Sequence, residues 1–309
     1  MTSPDLPADH DARLARAQLA LDGLSVGDGF GERFFGPPGR VVPAIAARAI
    51  PPAPWRTTDD TEMALAIVEV LAELGRVDPD RLASRFAARY RARPDRGYGG
   101  MAHFILASIA GGESWRAVSP AVFDGMGSMG NGGAMRAAPI GAYFADDLAS
   151  VVDHARASAE VTHAHPEGQA GAIAVALAAA WAWTHRGRAA DGRELLAEVA
   201  ARTPAGATRD GIARALELGD SAPVAEAVQA LGNGVQVLAS DTVPFALWCA
   251  ARHLGSYVDA LWTTVSGLGD RDTTCAIVGG IVCLASGRAS IPGTWVAARE
   301  PLDLPHSPP

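Results

Sequence analysis

The sequence predicts an all-α protein that folds as one compact, orthogonal multi-helix domain. Apolar residues recur at helical spacing along most of the 309 residues. Alanine is abundant and aromatic residues make up only 6% of the chain, which is typical of closely packed helices. Alternating runs of β-branched residues are nearly absent, and only one short strand is predicted, over 234–238. Because 49% of the residues are hydrophobic, the chain can fill a sizeable core.

The first fifty residues are predicted to contain one helix and much irregular chain. Residues 1–10 are polar and predict a disordered tail. Leu14, Leu21 and Leu24 recur at helical spacing and predict a first helix over 11–26. The glycine-rich run 27–33 is expected to loosen the backbone. Residues 36–55 contain repeated prolines, which argue against regular helix and predict a surface loop, a candidate lid.

The rest of the chain reads as a succession of helices. The clearest is 61–75, where apolar residues line one face. Further helices are predicted at 79–92, 98–110, 133–144, 146–160, 166–185, 191–202, 207–218, 221–230, 241–254, 256–266 and 273–287. Residues 291–309 are polar and predict a C-terminal tail. The predicted domain therefore spans 11–290.

Charge and cysteine content limit the possible partners and the compartment. The formal net charge is -8, which disfavours nucleic-acid binding. The cysteines Cys249, Cys275 and Cys283 lie in apolar helical stretches and are expected to be buried free thiols, which indicates a reducing compartment. The N-terminus has no signal-peptide core, and no apolar run is long enough to span a bilayer. We therefore expect a cytoplasmic monomer with no membrane association.

Two acidic clusters about two hundred residues apart carry the strongest chemical signal. The first is Thr57-Thr58-Asp59-Asp60-Thr61 and the second is Gly269-Asp270-Arg271-Asp272-Thr273, each just before a predicted helix. Either cluster alone fits an ordinary helix cap. Capping needs one acid, however, and each cluster has two, which repel unless a cation offsets them. Carboxylate and hydroxyl oxygens suit Mg²⁺, with Mn²⁺ as the alternative, so convergence of the clusters would make a two-metal site.

Glycine-rich and histidine-containing segments are the remaining candidates. Residues 125–130 fit G-x-G-x-x-G, but no hydrophobic strand precedes them, which argues against dinucleotide binding of that type. The run Gly130-Asn131-Gly132-Gly133-Ala134-Met135-Arg136 predicts a phosphate cradle at a helix N-terminus, with a plain tight loop as the alternative. His163 and His165 could bind a metal, although no third nitrogen or sulfur ligand is near, which favours a structural or supporting role.

Taken in order, these motifs resemble those of the ADP-ribosylglycohydrolase family. The family's landmarks are a glycine-aspartate segment after the first helix, a threonine-aspartate-aspartate cluster, a glycine-asparagine-glycine run ending in methionine-arginine, a threonine-histidine segment and a late aspartate-x-aspartate-threonine. In this chain they stand at 27–31, 58–61, 130–136, 162–163 and 269–273. The resemblance covers residues 12–288, and the ordered set is specific although each motif alone is not.

The resemblance implies an all-α fold with two Mg²⁺ ions in a central cleft. The implied metal ligands come from both acidic clusters, with Asp272 as the bridge: Thr58, Asp59, Asp60, Asp270, Asp272 and Thr273. Family members cleave the bond between ribose C1″ and a protein side chain and release ADP-ribose. The metals would bind ribose hydroxyls and position a water, and the phosphates would rest on the backbone of 130–133. The implied substrate-binding residues are Asp28, Ser128, Gly130, Asn131, Gly132, Gly133, Met135, Arg136 and His163.

The chain departs from the family pattern where a catalytic acid is expected. Several members carry a glutamate a few residues beyond the glycine-aspartate segment, whereas here Glu32 follows that segment directly and Phe35 falls near the usual place. Others carry an acid shortly before the glycine-asparagine-glycine run, where this chain has Ser128. The implied catalytic residues are Glu32, Asp60 and Asp272, with either Glu32 or the metal ligand Asp60 as the general base.

These motifs and the resemblance are consistent with three functions. The leading hypothesis is an Mg²⁺-dependent hydrolase that removes ADP-ribose from a modified arginine of a protein substrate. The second keeps the two-metal site but acts on ADP-ribose linked to serine, to nucleic acid or to an acyl group. The third is a non-catalytic relative that binds ADP-ribose or serves a structural role. The intact set of clustered carboxylates argues against the third hypothesis, because empty carboxylates repel one another.

Overall fold

The computed structural model describes residues 6–188 and 191–303 of the chain. Within these ranges all regular structure is helical, so the predicted all-α class is confirmed. The described residues form sixteen α-helices and two 3₁₀ turns, Asn131–Gly133 and Arg288–Ser290. In order these helices are α1 His10–Glu32, α2 Pro38–Ala46, α3 Asp59–Leu74, α4 Pro79–Ala92, α5 Gly100–Ala110, α6 Trp115–Gly125, α7 Ala138–Tyr143, α8 Leu148–Glu160, α9 Pro166–Thr184, α10 Gly192–Arg202, α11 Ala207–Leu218, α12 Val224–Leu231, α13 Ala239–Arg252, α14 Tyr257–Ser266, α15 Arg271–Ser286 and α16 Gly293–Ala298.

Among the described helices, α1 and α15 share the most extensive contact. Gly23, Gly27 and Gly31 lie one helical turn apart on α1 and face α15. A Cβ added at these glycines would lie 2.3, 2.2 and 2.2 Å from the carbonyl oxygens of Gly279, Cys275 and Arg271, respectively. The prediction that the glycine-rich run 27–33 loosens the backbone was therefore wrong. The glycines remain helical because they let the two backbones come into direct contact.

Helix α9 lies at the centre of the core. Almost all of its residues from Gly168 to Ala182 are buried, and α7, α8, α13 and α15 pack around it. Small side chains permit this, since a Cβ added at Gly141 of α7 would overlap the carbonyl oxygen of Ala176 of α9. None of the described helices is long and apolar enough to cross a membrane.

Two segments predicted as irregular contain helices. Residues 36–55 include α2, in which Pro38 takes the first position, where a missing N–H breaks no helical hydrogen bond. Val41 and Ile45 bury one face of α2 against the core. In the predicted C-terminal tail, α16 buries Trp295 in a stacked pair with Phe30, with ring centroids 4.7 Å apart. The predicted tails 1–10 and 291–309 lie partly outside the described residues.

Local chemistry accounts for the remaining differences. The predicted strand 234–238 is wrong, because the chain there turns at Gly234 and Val237, both with positive φ, and makes only an isolated bridge between Leu238 and Gly130. The predicted helix 133–144 is interrupted: a 3₁₀ turn ends at Gly133 and α7 begins at Ala138. Helix α6 was not predicted, and it has a kink at Phe123 and Asp124, where φ is positive.

Candidate active site

The two acidic clusters lie at the N-termini of α3 and α15, which both pack against α1. Thr58 is the N-cap of α3 and Asp270 is the N-cap of α15. Because α15 runs against the glycine face of α1, Asp272 comes close to Asp28 of α1. The structure therefore brings together the clusters that are about two hundred residues apart in the sequence.

Asp28 of α1 holds the first cluster through hydrogen bonds. It is fully buried, and its Oδ2 accepts hydrogen bonds from the Thr58 N–H at 2.9 Å and the Thr61 hydroxyl at 2.5 Å. The Thr58 hydroxyl lies 2.9 Å from both Asp28 Oδ1 and Asp60 Oδ2. Asp28 was predicted to bind substrate, but the structure places it beneath the Thr58–Thr61 turn. Its contacts indicate that it holds this turn in place.

The second cluster is held by the glycine-rich loop. Asn131 Nδ2 donates to Asp270 Oδ2 at 2.7 Å and to the Thr242 hydroxyl at 3.0 Å. The Asn131 N–H in turn donates to the carbonyl oxygen of Val237 at 3.0 Å. Val237 has a φ of 57°, which is costly for a β-branched residue. In this conformation the Val237 carbonyl accepts the Asn131 N–H. The loop at 234–238 thereby holds Asn131, which in turn holds Asp270 of the second cluster.

Burial and mutual repulsion raise the pKa of the clustered carboxyl groups. The pKa values of Asp59 and Asp60 lie well above the usual range, first because the groups are buried and second because of the charge on Asp272. Burial, with added repulsion, raises the pKa of Asp272 to about 6 and that of Asp270 to about 7. Burial also raises the pKa of Asp28 to about 6. A divalent cation would offset this repulsion and favour the ionised forms.

The donor atoms fit Mg²⁺ in their chemistry. Asp60 Oδ1 and Asp272 Oδ1 are buried and have no hydrogen-bond partner among the described residues, whereas buried acceptors normally have a donor or a cation. All the candidate ligands are hard oxygen atoms. Across 6–188 and 191–303, no three His, Cys, Asp or Glu side chains lie close enough together to coordinate one metal ion. The metal site therefore stays a prediction.

A cleft of about 610 Å³ opens above the second cluster. Its wall includes the acidic side chains Asp59, Asp270 and Asp272, together with Thr273. The rim is apolar. Of its side chains, Phe123, Met126 and Val237 are exposed. The others are half-buried, and they are Met101, Met129 and Leu238. The predicted substrate-binding residues that line the cleft are Ser128, Gly130, Asn131, Gly132, Met135 and His163.

The glycine-rich run is not the start of a long helix. Residues Asn131–Gly133 make a single 3₁₀ turn, so no helix dipole of useful length points at a phosphate from this loop. Gly132 instead makes room for a histidine, since an added Cβ would lie 2.8 Å from His163 Cε1. Gly133, which was predicted to bind substrate, is buried and faces Ala159, with an added Cβ 3.3 Å from the Ala159 Cβ.

Arg136 does not reach the cleft, although it was predicted to bind substrate. Its side chain is fully buried and its guanidinium lies 4.4 Å from the ring centroid of Phe86. Arg136 Nη2 donates to the Ser158 carbonyl at 2.8 Å and to the Thr162 hydroxyl at 2.9 Å. Burial lowers the pKa of Arg136 to about 9. Arg136 therefore supports the wall of the cleft from behind, next to Thr162 and His163.

The candidate general bases do not line the cleft. Asp60 is buried behind Asp59 in the Thr58–Thr61 turn. Glu32 is half-buried at the end of α1, and burial raises its pKa. The charge of Glu32 also raises the pKa of Asp272. His165, the other candidate metal-binding histidine, caps α9, because its Nδ1 accepts the Glu167 N–H at 3.0 Å.

Sequence reasoning missed an ion pair that supports the first cluster. Glu300 accepts hydrogen bonds from the Thr57 N–H at 2.7 Å and the Thr57 hydroxyl at 2.8 Å. Arg96 donates to Glu300 at 2.5 Å and to the Thr57 carbonyl at 2.8 Å. The Arg96 carbonyl accepts the Asp59 N–H at 2.6 Å. The one signal for this contact in the sequence is the acidic side chain of Glu300, which stands in the predicted C-terminal tail.

Comparison with known proteins shows the family of this chain. A family model described as ADP-ribosylglycohydrolase matches residues 9–305. The chain belongs to the ADP-ribosylglycohydrolase family. It is similar to the human protein named ADP-ribosylhydrolase ARH3, with 32% identity over 79% of this chain and 74% of that protein. The Danio rerio protein of the same name is 31% identical over 94% of this chain and 88% of its own length.

A solved structure supports the fold over the whole domain. It is titled "ADP-ribosylglycohydrolase-related protein complex" and superimposes with a TM-score of 0.63 at 25% identity, covering 94% of both chains. The predicted family and its helical fold are thus confirmed. Family membership establishes a glycosyl hydrolase that acts on conjugates of ADP-ribose.

Proposed function

We propose that this protein is an Mg²⁺-dependent hydrolase that removes ADP-ribose from modified protein side chains and so reverses mono-ADP-ribosylation. The observation that carries the proposal is the meeting of two Asp pairs beside one cleft. There Asp60 and Asp272 each keep a buried oxygen that has no hydrogen-bond partner in the described part of the chain. Mn²⁺ is the alternative ion, since it accepts the same oxygen ligands. The likeness to proteins named ADP-ribosylhydrolase supports the same reaction class.

The residues of the chain divide the chemistry between the two sides of the cleft. Thr58, Asp59 and Asp60 would hold an ion from α3, and Asp270, Asp272 and Thr273 would hold an ion from α15. Bound Mg²⁺ would supply stabilisation of ribose hydroxyls and a water of lowered pKa. The backbone of Gly130–Gly132 would contact the phosphates, and the apolar rim would contact the adenine.

Hydrolysis breaks the bond between ribose C1″ and the side-chain atom. Water attacks C1″, a carboxylate takes the proton of the water, and the leaving side chain gains a proton. Either Glu32 or Asp60 could act as this base, because each has a raised pKa and each is electrostatically coupled to Asp272. Asp60 is the better candidate, since its Oδ1 has no hydrogen-bond partner within 6–188 and 191–303 and the side chain lies next to Asp59 of the cleft wall.

We propose that the scissile bond is oxygen-linked, as in a serine conjugate or an acyl ester. Among the described residues, the acids that line the cleft are Asp59, Asp270 and Asp272, all assigned to metal. A guanidinium is bound most strongly by a carboxylate, and the rim offers methionine, phenylalanine and valine instead. Arginine linkage remains the second candidate, because Glu32 lies near enough to Asp272 to affect its pKa and could pair with a guanidinium.

The experiment compares conjugates with matched peptides. One peptide carries ADP-ribose on serine and the other on arginine, and released ADP-ribose is measured by chromatography in Mg²⁺. We expect release from the serine conjugate, and its loss in Asp272→Ala. Asp147→Ala is the matched control, because Asp147 only caps α8, accepting the Ala149 N–H at 3.0 Å. Release from arginine alone would reverse the linkage assignment. Release from neither peptide nor from an O-acyl ester would refute the proposed function.

We also propose that the protein acts as a monomer in the cytoplasm on ADP-ribosylated proteins. The cleft is complete within one chain, since both acidic clusters and the glycine-rich loop come from the same domain. The acidic net charge of -8 makes nucleic acid an unfavourable partner. Light scattering of the purified protein would test the first point, because a dimer mass would contradict it.

A further inference from the structure

Three buried side chains form a hydrogen-bonded chain that ends at the cleft. Arg136 Nη2 donates to Thr162 Oγ1 at 2.9 Å, and Thr162 Oγ1 lies 2.7 Å from His163 Nδ1. Arg136 and Thr162 are almost fully buried, and His163 is 8% exposed. Arginine can only donate hydrogen bonds. The Thr162 oxygen must therefore be the acceptor in its contact with Arg136.

The direction of the second hydrogen bond follows from the threonine hydroxyl. Among the described residues, His163 Nδ1 is the one acceptor within reach of the Thr162 hydroxyl proton. A buried hydroxyl proton without an acceptor is rare and costly. Nδ1 is therefore the acceptor and carries no proton. Burial, and then the charge of Arg136, lower the pKa of His163 to about 3, so the ring is neutral near pH 7.

A neutral imidazole with an unprotonated Nδ1 carries its proton on Nε2. His163 lines the cleft, and its Nε2 lies beside the glycine-rich loop, 3.0 Å from the position of a Cβ added at Gly132. Across the described part of the chain, no side chain or backbone group hydrogen-bonds to this nitrogen. The Nε2–H group is therefore free to meet a ligand.

We propose that Arg136, acting through Thr162, fixes His163 as the Nε2–H tautomer, so that the ring presents a permanent hydrogen-bond donor to a substrate oxygen. Arg136 and Thr162 are positioning residues, and His163 is the residue that contacts substrate. The donor suits a phosphate oxygen or a ribose hydroxyl of the ADP-ribose group. The identity of that oxygen rests on the proposed function, whereas the tautomer does not.

The chain contains a second Thr-His pair with the opposite arrangement. Thr184 Oγ1 lies 3.1 Å from His185 Nδ1, but it is also 3.0 Å from the Ala180 carbonyl, so its proton has a backbone acceptor. His185 Nδ1 is 2.9 Å from the Trp181 carbonyl, and a carbonyl can only accept. His185 Nδ1 must therefore be protonated in this contact. The structure thus assigns opposite tautomers to His163 and His185, which makes His185 an internal reference.

Nitrogen NMR tests the assignment directly. Protein labelled with ¹⁵N-histidine is studied at pH 8 by long-range proton–nitrogen correlation, which separates protonated from unprotonated ring nitrogens. The His163 signals are assigned by their loss in His163→Gln and the His185 signals by their loss in His185→Gln. We expect protonated Nε2 in His163 and protonated Nδ1 in His185. Protonated Nδ1 in His163 would overturn the proposal.

Matched variants test whether the tautomer matters for binding. Thr162→Val keeps the shape but removes the hydroxyl, and we expect His163 to lose its single tautomer. We also expect the Kd for ADP-ribose, measured by calorimetry, to rise about threefold to tenfold. Thr162→Ser should restore both properties, and the control Thr184→Val should change neither the His163 signals nor the Kd. Wild-type Kd and wild-type His163 signals in folded Thr162→Val would overturn the proposal.

The two possible failures are distinguishable. Wild-type protein that binds no ADP-ribose would refute the proposed function, and the His163 signals would still decide the tautomer. ADP-ribose binding with an Nδ1–H tautomer would refute this inference alone.

Discussion

Replacing Gly27 with alanine should force α1 and α15 apart. The added Cβ would lie 2.2 Å from the carbonyl oxygen of Cys275 and 2.8 Å from its carbonyl carbon, where ordinary contacts begin at 3.4 Å. The helices must therefore separate by about 1 Å, because the obstacle is backbone in a close-packed core. Overpacking of this kind costs up to about 3 kcal/mol, and the better helix propensity of alanine offsets about 1 kcal/mol.

We therefore expect Gly27→Ala to lose about 2 kcal/mol of stability, a fall in Tm of roughly 3 °C for a chain of this length. The separation would also move Asp28 relative to Asp272, so affinity for Mg²⁺ should fall. The assays are urea unfolding and Mg²⁺ calorimetry. Gly39→Ala in α2 is the matched control, since a Cβ there meets no atom within 4 Å. Wild-type stability and Mg²⁺ affinity in Gly27→Ala would refute this view of the helix contact.

The other predictions concern the charges and the anchors around the cleft. In chelator, Asp272→Asn should raise Tm, because it removes repulsion from a carboxyl cluster; an unchanged or lower Tm would contradict that. Asp28, Asp270 and Asp272 have folded-state pKa values of about 6, 7 and 6 against 3.8 unfolded. The metal-free folded state thus holds extra protons, and their stabilising contribution is lost as pH rises through 6 to 7. The gap between unfolding free energies in Mg²⁺ and in chelator should therefore widen from pH 5 to pH 8, and a constant gap would count against this linkage. Glu300→Ala should weaken Mg²⁺ binding about tenfold, unlike the control Asp95→Asn, which breaks only the exposed pair of Asp95 with Arg56; equal affinities would disprove the support role. Trp295→Ala should cost about 3–5 kcal/mol in urea unfolding, and a loss under 1 kcal/mol would show that α16 is dispensable.

Sequence reasoning succeeded where local signals decide the structure. The bounds of α4 were predicted at 79–92 and are observed there, because Asp78 caps the helix and Pro79 takes its first position. The bounds of α11, 207–218, also agree. In both helices one apolar face is enough to set the register, and the ends are marked by residues that a single sequence displays.

The same reasoning failed where a contact distant in sequence overrides the local signal. Glycines in isolation suggest a loose backbone, but Gly23, Gly27 and Gly31 are matched by the backbone of α15 about 245 positions away, which no local pattern reveals. The segment after residue 290 looks polar, yet Trp295 joins the aromatic cluster around Phe30. Burial supplied by a distant partner decided each of these cases.

For the site, chemistry was easier to predict than orientation. The residue types of the two acidic clusters suggested their convergence, and the structure places both beside Asp28. The direction of Arg136 could not be predicted, because an arginine after a glycine run can face either a ligand or the core. Arg136 is buried because its guanidinium packs on Phe86 of α4. A motif around Arg136 contains no information on where α4 lies.

The most direct test of the central claim is the Mg²⁺ dependence of ADP-ribose release by the wild-type protein. The protein is first freed of metal with chelator and then titrated with Mg²⁺, with free ADP-ribose measured at each step. We predict no release in chelator and saturable recovery as Mg²⁺ is added. Equal release with and without chelator would contradict a catalytic role for the two Asp pairs.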